Sequence, residues 1–317
     1  MRHFFYFLIF NLGIAGHGFA QQNKDDLVKK NVNDSILQNR NLSVPARFDA
    51  QKALLQLFPG KYYNLSKKSG YHNELINWEC KGCKTKTYED VNEDAAPAFP
   101  FAMGVATRLL NVMDYKDSLG NAYKVISFNH SEFDEDGAMT SRFTGGLLGL
   151  AKFVQTGNGW KLKAFQPAIA AYGAFSKCPD PKPLLIGQNQ YAFMIKHSNG
   201  GGGGPFNGAY FLIAGTNGAY QQVMAAYGIE KTEVSEEEEL CSWTSEYSVP
   251  PSEKRYFRDI IIHIKGQYTF SDKESLPGEV ATRIKGKKKG NFTMEQRFVY
   301  KAGKGYELQR PIKTTVN

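Results

Sequence analysis

Histidine and cysteine are scarce in this chain, and their scarcity narrows the chemistry open to it. Six histidines occur, of which four follow residue 20: His72, His130, His197 and His263. No serine stands in a Gly-x-Ser-x-Gly elbow, so the commonest signature of a serine hydrolase is missing. The glycine-rich stretch around Gly200 is not followed by Lys-Ser or Lys-Thr, and it does not read as a phosphate loop. The four cysteines are Cys80, Cys83, Cys178 and Cys241, with none earlier to accept a lipid. A zinc site would need a second close pair, and Lys84 stands where c-type haem attachment needs histidine. Long apolar runs are also wanting. The longest, in the first twenty residues, is too short to span a bilayer.

That opening run has a different meaning. Arg2 and His3 form a basic start, Phe4 to Ile14 an apolar stretch, and Gly18-Phe19-Ala20 a small-x-small cleavage site. The expectation is a secretory signal over residues 1–20, cut after Ala20, and a mature protein that is secreted or periplasmic with no transmembrane segment. An even cysteine count in an oxidising compartment predicts two disulfides. Three pairings exist; the spacing favours Cys80 with Cys83 and Cys178 with Cys241.

Composition is that of a globular chain, with 42% hydrophobic and 22% charged residues, and Tyr and Phe far outnumber Trp. The net charge of +8 is moderate, and apart from Lys285-Gly-Lys-Lys-Lys289 the basic residues are dispersed. No nucleic-acid motif accompanies them, which argues against a nucleic-acid partner. An anionic envelope polymer is compatible with this charge.

Residues 21–44 are polar and Asn-rich, predicting a loose arm. Asp49 then stands at an N-cap position before Ala50, Ala53, Leu54, Leu57 and Phe58 at helical spacing, and Pro59-Gly60 ends the run. From about residue 104 the pattern becomes strand after strand, rich in aromatic and β-branched residues. Strands are expected at 108–115, 123–128, 147–155, 160–165, 191–197, 210–214, 220–227, 259–265, 267–270, 280–285, 292–300 and 306–309. Asn121, Asn158-Gly159, Asn217-Gly218 and Lys304-Gly305 mark antiparallel hairpin turns. The predicted fold class is mainly β: an antiparallel sandwich or open barrel with one short N-terminal helix. Three prolines in Cys178-Pro-Asp-Pro-Lys-Pro183 suggest a division into residues 45–176 and 177–317, as two β domains or as one continuous domain.

Three segments are candidates for function. Trp78-Glu-Cys80-Lys-Gly-Cys83 resembles a redox dithiol, yet no amphipathic helix follows, so a structural disulfide is expected. Glu132, Asp134 and Asp136 alternate before Gly137 as in the start of a calcium loop, but Phe143 occupies the position of the bidentate carboxylate. Calcium is thus the one cofactor the sequence suggests, with an acidic surface connector as the alternative. His197, Asn199 and Asn207 flank the run Gly200–Gly204 and are the candidate ligand-binding residues. His263 lies within Ile260-Ile-Ile-His-Ile264, on the same strand face as Ile261, and is expected to be a satisfied, partly buried histidine. The expected function is an exported, non-catalytic binding protein for an envelope glycan or protein partner. An exported hydrolase is the alternative.

Overall fold

The computed structural model describes residues 27–64, 74–92, 96–132, 142–201, 204–232 and 240–317. The predicted helix forms as α1 (Ala50–Leu57), and the Asp49 carboxylate accepts the Lys52 N–H at 3.0 Å. Five long strands follow: β1 (Glu74–Glu79), β2 (Val105–Lys116), β3 (Ala122–Glu132), β4 (Gly146–Thr156) and β5 (Gly159–Gln166). They are sequential neighbours in an antiparallel arrangement, and short strands at Lys30–Asn31, Ser43–Pro45, Lys61–Asn64 and Ala171–Tyr172 complete a nine-stranded sheet.

The second sheet is an eight-stranded antiparallel meander: β6 (Lys182–Gly187), β7 (Gln190–Gly200), β8 (Phe206–Thr216), β9 (Ala219–Thr232), β10 (Ser242–Ser248), β11 (Ile260–Thr269), β12 (Lys289–Lys301) and β13 (Gly305–Val316). Between β8 and β9 the turn residues Asn217 and Gly218 both have positive φ, 51° and 82°, the requirement of the tight hairpin that Asn-Gly predicts. The sheet curls until β13 packs back on β9.

Three core layers result. On one face of the first sheet, Ala53, Leu54, Leu57 and Phe58 seal against Trp78, Ile126, Phe128 and Phe153. Phe58 stacks on Trp78 at 5.5 Å, and complete burial of such a side chain contributes about 1.5–3 kcal/mol. The opposite face presents Val125, Leu148, Leu150 and Tyr172 to Phe193, Ile195, Phe211 and Ile213 of the second sheet. The alternate residues Met194, Leu212 and Met224 point into the curled sheet, among Ile262, Phe292 and Met294. Strands β7 and β8 are therefore covered on both sides. This is why Ala192-Phe-Met-Ile195 and Ala209-Tyr-Phe-Leu-Ile-Ala214 read as unbroken apolar runs.

Several expectations are corrected. From residue 27 the polar arm is not loose: Lys30–Asn31 pair with Trp78–Glu79, Ser43–Pro45 pair with β5, and Ile36 and Val44 are buried. It covers both margins of the first sheet, which would otherwise expose unpaired backbone. Segments 259–265 and 267–270 fuse into β11, with Phe270 beginning a 3-10 turn. Residues 280–285 are no strand, because Gly278–Ala281 forms a short helix, α2, whose Val280 fills the curled sheet with Leu276 and Ile284.

The proposed second disulfide is absent. Cys80 and Cys83 are bonded, whereas Cys178 and Cys241 are buried free thiols. They lie in different core layers, Cys178 between the sheets and Cys241 inside the curl. The Cys178 N–H donates to Asn129 Oδ1 at 2.8 Å, and the Cys241 sulfur accepts the Thr269 N–H at 3.3 Å. Burial pushes both thiols up, away from the reactive thiolate form.

Candidate functional site

The three candidate ligand residues prove to belong to ladders rather than to a loop. His197 and Asn199 lie in β7, Asn207 lies in β8, and Asn199 pairs directly with Asn207. Around the first two is a buried polar brace. Asp90 accepts the backbone N–H of Asn92 at 3.0 Å, the Asn92 amide at 2.9 Å and the Gly145 N–H at 2.9 Å. The Asn199 amide donates to Asn92 Oδ1 at 2.5 Å. His197 Nδ1 accepts the Gly173 N–H at 3.0 Å, so the neutral ring carries its proton on Nε2. Burial lowers the His197 pKa, against the attraction of Asp90. These groups are committed to one another, and they tie the end of β7 to the first sheet.

Asn207 is exposed and opens elsewhere. It lines a cleft of about 580 Å³ with Tyr227, Trp243, Gln296 and Arg310. Gln296 is nine-tenths buried, and its Oε1 has no hydrogen-bond partner. An arginine–glutamate pair, Arg310 to Glu279 at 2.9 Å, stands at this cleft.

Trp243 also borders a larger groove, of about 1250 Å³. The cause lies in the ladder. Among the described residues, strands β9 and β10 share a single pair, Lys231 with Trp243, whereas the other neighbouring strands of the meander pair along most of their length. The Trp243 indole closes this seam by donating to Gly228 O at 2.9 Å, and Lys231 is held by Asp272 at 3.0 Å. Gly266 permits the closure: a Cβ there would lie 2.6 Å from both Phe292 and Trp243, whose rings approach each other at 6.1 Å.

On the outer face beside the seam, cross-strand pairing aligns two polar rows. Ser242 pairs with Gln267 and Gln267 with Asn291; Thr244 pairs with Lys265 and Lys265 with Thr293. Opposed residues share a face, and neighbouring strands lie about 4.8 Å apart, so six polar side chains form a lattice two rows deep. Lys231, Lys265 and Lys289 line the groove, and its described lining includes no carboxylate.

Comparison with protein-family profiles, curated proteins and solved structures finds no match. The functional reading rests on the geometry.

Of the calcium candidates, Glu132 is an exposed residue at the end of β3, while Asp134 and Asp136 lie outside the described residues. Among the described residues no three metal-binding side chains converge, and no helix is long and apolar enough to cross a membrane. His263 is partly buried, on the strand face it shares with Ile261. Its side chain is 44% exposed, with Nε2 3.3 Å from Ser248 Oγ. The lattice residues escaped notice in the sequence because each is an ordinary polar strand residue. The available signal was Ser242-Trp-Thr-Ser-Glu-Tyr-Ser248, in which every second residue is polar, beside a glycine inside a strand at Gly266.

Proposed function

We propose that the protein is exported and non-catalytic, and that it binds an acidic glycan across the outer face of β10, β11 and β12. The observation that carries this reading is the two-row lattice Ser242–Gln267–Asn291 and Thr244–Lys265–Thr293 beside the seam. A sugar chain presents hydroxyls at near-regular intervals, and amide and hydroxyl side chains both donate and accept hydrogen bonds to them. Lys265 and Lys289, with the neighbouring run from Lys285, supply positive charge for carboxylate or sulfate groups. An open groove suits a chain that continues beyond the site. The leader expected over residues 1–20 puts such a protein where envelope polymers are found.

The test is calorimetric titration of residues 21–317 with oligogalacturonate and with its methyl-esterified form. Binding of the acid, weakened at least about tenfold by esterification or by Lys265→Gln with Lys289→Gln, supports the reading. Equal affinity for acid and ester, or affinity unchanged in the double variant, contradicts it.

A further inference from the structure

A further cavity, apart from the seam, lies between the segment around Cys178 and strands β7, β8 and β10. It has a volume of about 420 Å³ and is lined by Lys177, Pro179, Asp180, Lys182, Met194, Lys196, Tyr210 and Tyr247. The side chains divide by chemistry. Tyr210 and Tyr247 meet edge to face at 5.1 Å and form an angled aromatic wall with buried Met194. The Tyr210 hydroxyl donates to Ser245 O at 3.1 Å, which fixes the ring, and the Ser245 hydroxyl oxygen beside it is buried with no hydrogen-bond partner.

The mouth is cationic. Three ammonium groups face one carboxylate, that of Asp180. Lys196 is ion-paired with Glu230, whereas Lys177 and Lys182 form no ion pair among the described residues. Two uncommitted cations above an aromatic wall suit a ligand with a charged end and a flat apolar body. The prolines of Pro179-Asp-Pro-Lys-Pro183 restrict the segment that carries Lys182, so the mouth needs little ordering when a ligand enters.

We infer that this cavity is a binding site for a small aromatic carboxylate, with the ring against Tyr210 and Tyr247 and the carboxylate between Lys177 and Lys182. Neither the glycan groove nor its lysines take part, so the two sites succeed or fail separately.

The probe is benzoate, with benzamide as its neutral isostere, followed by ligand-observed NMR and calorimetry on residues 21–317. Saturable benzoate binding is expected, at least about tenfold tighter than benzamide. Lys177→Gln with Lys182→Gln should abolish that preference and leave the melting temperature unchanged, because Lys182 is exposed and Lys177 only partly buried. Tyr247→Leu should weaken both compounds together. Absence of benzoate binding, equal binding of benzamide, or a preference that survives the double lysine variant would overturn the assignment.

Discussion

His130 offers a stability term that can be isolated by pH. The ring is wholly buried in β3 among Phe58, Phe99 and Phe128. The Trp78 indole N–H donates to Thr107 Oγ1 at 2.7 Å, and that hydroxyl lies 2.7 Å from His130 Nδ1. With its oxygen accepting from Trp78, the hydroxyl directs its own proton to Nδ1, and Nε2 is left to donate to Pro167 O at 3.0 Å. Both ring nitrogens of the neutral imidazole are thereby satisfied, and a second proton would turn the Thr107 hydroxyl away from Nδ1 and place a charge in the core. Burial drives the pKa from 6.5 to about 3, opposed by the bond to Pro167.

The sign follows from which state binds the proton. Between pH 6.5 and about 3 the unfolded chain is protonated at this residue and the native protein is not. The contribution to stability is therefore complete above pH 6.5 and is lost on acidification by about 1.4 kcal/mol per pH unit, or about 2 kcal/mol by pH 5. His130→Gln keeps an acceptor for Thr107 and a donor for Pro167 but does not titrate. Urea denaturation at pH 7 and pH 5 should show the parent protein losing about 2 kcal/mol more than the variant. Equal losses would refute a neutral, buried His130.

Other consequences are open to direct measurement. The native protein should react negligibly with a thiol reagent and titrate two thiols once denatured without reductant, since Cys178 and Cys241 are free and buried; no thiols on denaturation would restore the discarded pairing. Gly146→Ala should destabilise by about 3 kcal/mol in chemical denaturation, because its Cβ would lie 1.8 Å from Asn129 Oδ1 and 2.4 Å from Cys178 N. A change within about 0.5 kcal/mol would refute that packing. Mass spectrometry of the protein from its native cells should find Gln21 at its amino terminus if the proposed leader is cut, and retention of Met1 would remove the basis for an envelope role.

What the sequence disclosed was local. Asp49 caps α1 because an N-cap needs only a carboxylate and the N–H three residues on, and Asn217-Gly218 turns because those two residues tolerate positive φ. What it concealed depends on partners distant in the chain. Val280-Ala-Thr-Arg-Ile284 has the β-branched content of a strand, yet Val280 and Ile284 are buried in the curled sheet from a short helix and the turn after it. The pairing of Cys178 with Cys241 was plausible by loop length, but a sheet stands between their core layers. His197 and Asn199 looked available because glycines follow them; in the fold, Gly173, Asn92 and Arg142 take up their hydrogen bonds. The lattice depends on cross-strand register between β10, β11 and β12, and no residue in it is unusual alone.

Hydrogen–deuterium exchange of residues 21–317 with and without oligogalacturonate tests most directly where a ligand lies. The account predicts added protection confined to the segments around 242–244, 265–267 and 291–293, absent with the methyl ester. Protection centred instead on the end of β7 at His197 and Asn199, or none at ligand saturation, would contradict it.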